Sequence, residues 1–232
     1  MTIREFFPAV FVINLVRRPD RRAHAETTLA RIGLLPSAVY WFDTYDKPVD
    51  SEGNPNGNFG CSTSHSALLH LIAHQKIPRA LILEDDVWPA PDRNRKGAVV
   101  DADAIFSKAV EQLPEKWDML YLGRHFAEMP KERVGPNLIR IGRMLTTSSY
   151  GVTLEFARRA APYIHGVGPI DNLYWRFHEE GNSYCVDPTL FIQRPGVSDL
   201  HDKFEDYSGA MTDMNHIKAL DSGTVYPPAP KG

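Results

Sequence analysis

Three consecutive carboxylates, Glu84, Asp85 and Asp86, follow directly on the apolar run from Ala80 to Leu83. Pro78 and Pro89 bracket the stretch, and an apolar run of that length between prolines predicts a buried central strand. Ligands of open α/β sheets bind outside the carboxyl ends of the strands, so the three acids would stand at a crevice. Adjacent carboxylates repel one another unless a cation joins them, and a divalent ion that prefers oxygen is the simplest such cation. Residues i and i+2 of an extended segment point the same way, which lets Glu84 and Asp86 share one ion while Asp85 faces elsewhere. The stretch also reads as a charged loop behind a core strand, and alone it does not separate the two.

A second group is basic. Arg17, Arg18, Arg21 and Arg22 surround Pro19 just after the apolar run from Val10 to Leu15. Arginine forks match phosphate oxygens, and arginine at a helix start opposes the helix dipole, so the cluster points to a phosphate-bearing ligand rather than to a solvated first turn. A third group, Cys61-Ser-Thr-Ser-His65, follows Gly60 and offers N-cap hydroxyls to the apolar stripe Leu68, Leu71 and Ile72. Ser64 and His65 read either as a cap and a packed residue, the reading that pattern alone favours, or as a helix N-terminus aimed at a ligand.

Strands and helices alternate around these groups. Val10 to Leu15 predicts a first strand, Ala23 to Ile32 a helix begun by Pro19 and stopped by Gly33, and Ala38 to Phe42 a second strand. Asp43 to Phe59 is polar, without periodicity, and reads as a loop. Asp101 or Asp103 caps a helix running to Gln112, and Trp117 to Leu122 is a strand. Arg124 to Pro136 reads as a loop, with strands at Leu138 to Ile141 and Thr146 to Leu154. A helix covers Phe156 to Ile164 and another Ile170 to His178; short strands follow at Ser183 to Val186 and Leu190 to Gln193. After Asp206 the apolar pattern fades. The expected organisation is one domain over residues 1–207 and an extended or loosely ordered tail over 208–232. Alternation of this kind predicts an open α/β sheet with helices on both faces.

Composition narrows the function classes. The 232 residues are 43% hydrophobic and 24% charged, enough for one core of useful size. A net charge of -3 gives no general basic surface for nucleic acid. The two cysteines, Cys61 and Cys185, lack a CxxC spacing, which argues against a cysteine zinc site or a disulfide scaffold. The N-terminal apolar run is too short to span a bilayer and has no small-residue cleavage site behind it. The expected location is cytoplasmic, with peripheral membrane contact left open.

Six motifs in order carry a family resemblance: Phe11-Val-Ile-Asn-Leu-x-Arg-Arg-x-Asp-Arg-Arg22, Gly60-Cys-x-x-Ser-His65, Leu81-Ile-Leu-Glu-Asp-Asp-Val87, Trp117-Asp-x-x-Tyr-Leu-Gly123, Pro169-Ile-Asp171 and Pro188-x-Leu-x-x-Gln193. Their order and separation over residues 10–193 resemble glycosyltransferase family 25, which includes lipopolysaccharide galactosyltransferases and collagen β-galactosyltransferases. The resemblance implies a GT-A-like α/β fold with an open, mostly parallel sheet. It also implies a nucleotide-sugar donor (often UDP-galactose), a divalent metal, usually manganese, and inversion at the anomeric carbon. The acceptor would be a glycan, a lipopolysaccharide or a protein.

Carried over residue by residue, Asn14, Arg17, Arg18 and Arg21 would flank the nucleotide, Ser64 and His65 would line the donor pocket, and Asp85 would join the donor site. Glu84 and Asp86 would hold the metal; the first acidic position is Glu here, so Asp86 is the surer ligand. A further ligand is expected from Asp199, His201 or Asp202, with His201 chosen. Asp171 is the expected base toward the acceptor hydroxyl, its alternative role being a helix N-cap, with Glu179 and Glu180 in reserve. Asp43-Thr-Tyr-Asp departs from the family's usual loop after the first helix. Arg124-His125 looks more like the collagen-modifying branch. Three rival readings remain. The first is a glycoside hydrolase, disfavoured because adjacent acids on one strand end do not flank a sugar ring. The second is a sugar-nucleotide or carbohydrate-binding module without catalysis. The third is a transferase acting on modified nucleic acid.

Overall fold

The computed structural model describes residues 1–34, 39–43, 56–164 and 168–223. A first helical turn, α1 (Ile3–Phe6), is fixed by a reciprocal cap between Thr2 and Glu5. It leads into β1 (Ala9–Asn14), buried at every position, and then α2 (Pro19–Arg31), where Pro19 supplies the preset first-turn backbone. β2 (Tyr40–Asp43) is followed, beyond residues outside the described set, by the long helix α3 (Gly57–Gln75).

The cap of α3 is Asn56, whose side chain accepts from Phe59 N–H; Ser62, Thr63 and Ser64 lie inside the helix rather than capping it. The helix therefore starts five residues before the hydroxyl triplet, and the cap expected there is corrected. Residues 44–55 of the expected polar loop lie outside the described residues.

β3 (Arg79–Glu84) turns sharply at Asp85-Asp86 into β4 (Val87–Pro89). Asp101 caps α4 (Ala102–Gln112) by accepting from Ala104 N–H, and β5 (Met119–Tyr121) follows. The expected loop before Pro136 contains a strand, β6 (Glu132–Gly135), which pairs with β7 (Leu138–Arg140). Its alternating Glu132 and Val134 face solvent at the sheet's edge, which is why the segment lacks an apolar run.

β8 (Ser149–Thr153) runs into α5 (Leu154–Ala160), and α6 (Ile170–His178) and β9 (Ser183–Val186) coincide with their expected spans. β10 (Phe191–Gln193) pairs with β4, and β11 (Gly196–Ser198) with β12 (Lys203–Glu205) forms a small hairpin. The segment expected to be a loose tail instead forms α7 (Ser208–Thr212) and α8 (Asn215–Ser222) as far as the described residues go. Met211, Ile217 and Ala219 are buried, so three well-spaced side chains anchor it where no apolar run announces a core element.

The main sheet has the order β2-β1-β3-β8-β5-β9-β7-β6. β1 pairs in parallel with β2 and β3, and β5 with β9, while β8 and β7 are antiparallel to their neighbours. Only β8 and β7 oppose the common direction, so the sheet is open, mixed and mostly parallel.

Strand alternation sends one set of side chains to each face. Phe11, Ile13, Ile82, Tyr121 and Tyr150 pack against Leu68 and Ile72 of α3, Phe156 of α5 and Tyr174 of α6. Val10, Val12, Leu81 and Leu83 pack on the other face against Phe6 of α1, Leu29 of α2 and Phe106 of α4. Helices thus cover both faces, as in a GT-A-like α/β fold, and the strand ends of β1 and β3 open on one edge.

Candidate active site

Ile13 is in register with Glu84, so the parallel strands β1 and β3 deliver Asn14 and the acidic turn side by side. A cleft of about 370 Å³ opens there. Asn14, Arg21, His65, all three acids of the turn, Asp171 and His201 line it, and the sequence had put each of them at the site.

The three carboxylates have different environments. Asp85 is clasped from behind: Asn14 Nδ2 donates to its Oδ2 at 2.7 Å and Arg21 Nη1 to its Oδ1 at 2.9 Å. Burial still raises its pKa, against the pull of Arg21. Glu84 Oε1 accepts from Thr147 Oγ1 at 2.7 Å and lies 3.5 Å from His65 Nε2. Burial alone would raise its pKa, but His65 and Thr147 together hold it below the usual range. Thr147 is brought there by the strand pairing, because Glu84 N–H donates to Ser148 O at 2.9 Å.

Asp86 has the weakest support of the three. Gln193 Nε2 is 3.5 Å from its Oδ2 and Arg21 Nη1 3.9 Å away, while its buried Oδ1 has no hydrogen-bond partner among the described residues. Burial, then the charges of Glu84 and Asp85, push its pKa up to about 8. A buried carboxylate with an orphaned oxygen beside a second carboxylate is a donor set suited to a hard divalent cation. Among the described residues no three His, Cys, Asp or Glu groups stand together as a ready-made metal site. His201, the expected further ligand, lines the same cleft without standing in such a group with Glu84 and Asp86, and its Nδ1 pairs with Glu205 Oε1 at 2.9 Å. Oxygens of a bound ligand or water would have to fill the remaining positions.

Asp171 sits in the first turn of α6. The N-cap is Pro169, so the carboxylate does not cap the helix as the alternative reading had it; its Oδ1 accepts from Asn172 N–H at 2.9 Å. Burial, then the charge of Glu84, raises its pKa, despite that backbone bond. A carboxyl made more basic in a cleft is a fitting proton acceptor. Glu179 and Glu180 are directed to solvent-side arginines, Glu179 to Arg143 at 2.6 Å and Glu180 to Arg159, and neither lines the cleft.

Three expected donor contacts are not at the cleft wall. Ser64 is buried in α3, where its Oγ donates to Gly60 O at 2.7 Å. Arg17 and Arg18 turn to Asp199, Arg17 at 2.7 Å, and Arg18 also forks onto Asp20 at 2.9 and 2.8 Å. Arg21 Nε is 3.5 Å from the same Asp199. The arginines thus join α2 to the β11–β12 hairpin, and Asp199 serves them rather than a metal. Sequence reasoning missed Arg194. Arg194 is a lining residue of the cleft whose backbone N–H donates to Asp86 O at 2.7 Å; its guanidinium has no hydrogen bond or ion pair to the described residues, and its charge, after burial, helps to lower the pKa of nearby His24. Arg194 directly follows the Gln193 motif, which was its only signal. Gly57, Asn58 and Cys61 also line the cleft, so one face of the first turns of α3 looks into it.

The GT-A-like fold and the cleft at its strand ends resemble those of glycosyltransferases. Within that class the resemblance to family 25 is borne out: residues 7–95 match the model described as glycosyltransferase family 25 (LPS biosynthesis protein). Over 189 residues the chain is 27% identical to the inactive glycosyltransferase 25 family member 3 of Mus musculus, covering 71% of this chain and 31% of that protein. Over 175 residues it is 24% identical to procollagen galactosyltransferase 2 of Mus musculus, covering 66% of this chain and 27% of that protein. The chain therefore spans about a third of the length of the curated relatives it matches. A solved glycosyltransferase involved in the glycosylation of the major capsid of PBCV-1 is 13% identical, with a TM-score of 0.46 over 83% of this chain and 95% of that one. Among the described residues no helix is long and apolar enough to cross a membrane.

Proposed function

We propose that the chain transfers a hexose from a nucleoside-diphosphate sugar to an acceptor hydroxyl, assisted by a divalent cation held by Glu84 and Asp86. The observation that carries this reading is the orphaned, buried Oδ1 of Asp86 beside Glu84, in the same cleft as Asp171 and Arg194. The cation, expected to be manganese, would supply charge neutralisation for the departing diphosphate. Arg194 adds a guanidinium to that task, since Arg17, Arg18 and Arg21 already serve Asp199 and Asp85. The first turns of α3 offer a dipole end of the matching sign.

Asp171 accepts the acceptor's proton as its oxygen bonds to the anomeric carbon and the bond from that carbon to the diphosphate breaks. Attack on the face opposite the leaving group inverts the centre. Uridine diphosphate galactose is the preferred donor, in keeping with a galactosyltransferase among the relatives. The acceptor is a glycan, a lipopolysaccharide or a protein hydroxyl.

One observation favours a second reading, a sugar-nucleotide-binding module without turnover: several similar relatives are named as inactive. Incubation with UDP-galactose, with manganese or with EDTA, separates them. Manganese-dependent release of UDP supports transfer, with water standing in for the acceptor; tight manganese-dependent binding with no release supports the module.

A further inference from the structure

A line of polar groups runs through the core beneath the cleft. Tyr174 OH is 3.0 Å from Tyr150 OH, Tyr150 OH is 2.7 Å from His65 Nδ1, and His65 Nε2 is 3.5 Å from Glu84 Oε1. Tyr174, Tyr150 and His65 are fully buried among Phe156, Leu68 and Ile82. Polar groups cost free energy in such a place unless each is satisfied, and apolar side chains of similar size would pack there without that cost. His65 Nε2 is the one atom of the line left without a hydrogen bond among the described residues, and it is directed at a cleft carboxylate.

We propose that His65 is a positioning residue for Glu84: Tyr150 fixes its tautomer so that Nε2–H faces Oε1 and turns Oε2 to the cleft. Glu84 Oε1 already stands as an acceptor, from Thr147 Oγ1 at 2.7 Å, so the hydrogen between it and His65 belongs on Nε2. A neutral imidazole protonated at Nε2 accepts at Nδ1, which makes Tyr150 OH the donor there and leaves Tyr150 oxygen to accept from Tyr174 OH. Every hydrogen of the line then has one direction. Thr147 Oγ1 also falls on Oε1, and Oε2 has no hydrogen bond to the described residues. Outer partners of this kind fix the orientation of a metal-binding side chain.

Tyr174 adds a second consequence. It lies three residues after Asp171 on α6, and residues at that spacing share a helix face. The line therefore ties the helix that carries the base to the strand end that carries the cation-binding acid, across the sheet strand that holds Tyr150.

The inference rests on the metal-site reading only for what Oε2 binds; the tautomer itself does not depend on it. Nitrogen-15 spectra of histidine-labelled protein read the tautomer directly. Wild type is expected to show His65 protonated at Nε2, and Tyr150→Phe to show a mixture of tautomers. Manganese titrations in the presence of UDP, followed by calorimetry, should give an affinity about 10–100-fold weaker for His65→Ala. His65→Gln, whose amide N–H reaches the same place, should recover most of the loss. Wild-type His65 protonated at Nδ1 overturns the proposal, and so does manganese binding by His65→Ala equal to wild type. Should the wild type bind no manganese at all, the metal reading fails, and the tautomer measurement alone decides the positioning role.

Discussion

Arg21 Nη1 stands 2.9 Å from Asp85 Oδ1, and the opposite oxygen of that carboxylate is held by Asn14 at 2.7 Å. The middle acid of the triplet is thereby turned into a strut between β1, α2 and the acidic turn, and the outer two are left to the cleft. Arg21 also donates to Val197 O at 2.8 Å. Arg21→Ala should therefore lower stability by about 1–3 kcal/mol, because it strands a buried carboxylate, rather than act only on donor affinity. Urea denaturation of the variant checks this; an unchanged midpoint with a weakened nucleotide affinity would restore the donor-contact role.

Asp86→Asn and Asp171→Asn separate the two jobs given to carboxylates. The first should lose both manganese-dependent nucleotide binding and transfer. The second should keep binding and lose about 10²–10⁴ in transfer rate, the usual worth of a general base. Turnover and nucleotide affinity measured side by side, with circular dichroism to confirm the fold, test both. Wild-type transfer by Asp171→Asn would remove the base from α6, and Glu179 and Glu180 would not replace it from their surface ion pairs.

Arg194→Ala should weaken UDP binding by about tenfold or more, since a charge-assisted hydrogen bond is worth about 1.5–3 kcal/mol. Uridine binding should hardly change, because the lost partner is the diphosphate. Arg17→Ala, which loses a contact to Asp199 from a side chain that does not itself line the cleft, should leave UDP affinity within a factor of about two of wild type. Calorimetry with UDP and with uridine distinguishes the three outcomes.

Asp86 gives the site a pH signature. Its folded pKa of about 8 lies well above the ordinary carboxylate range, so the folded state keeps a proton that the unfolded chain gives up. Stability without metal should therefore fall as pH rises from about 4 to about 8, the window between that range and the folded value. A divalent ion competes with that proton. Manganese should bind more tightly as pH approaches 8 and release a proton when it binds at about pH 6.5. Titrations in two buffers of different ionisation enthalpy measure the release, and Asp86→Asn should abolish it.

The parts of the fold that were legible are those where apolar runs meet punctuation. Ala80 to Leu83 between prolines, and Ile170 to His178 between Pro169 and Gly181, leave little choice of element. β6 was not legible because an edge strand needs no apolar run, and α7 and α8 were not because three buried side chains hold them. In the site, the acids were readable from their position behind a core strand. The partners of the arginines were not: Asp199 lies far along the chain from Arg17 and Arg18, and only the folded hairpin brings them together. The link from Tyr150 to His65 was hidden for the same reason, since each residue alone reads as ordinary core.

The central place of β8 has a consequence for synthesis of the chain. β3 is flanked by β1 and by β8, and Leu83 finds Ser149 only after the whole middle of the sequence has been made. As the chain emerges from the ribosome, β2, β1 and β3 can pair first, and they leave the apolar row from Ala80 to Leu83 as an open edge. Such an edge invites pairing with other nascent chains. Glu84 also gains its Thr147 partner only when β8 arrives, so a fragment ending near residue 95 would hold most of the acidic and basic motifs and still lack the cleft. The arrival of β8 covers the open edge of β3 and gives Glu84 its partner, and Asp171, Gln193 and Arg194 join the cleft from still later segments of the chain.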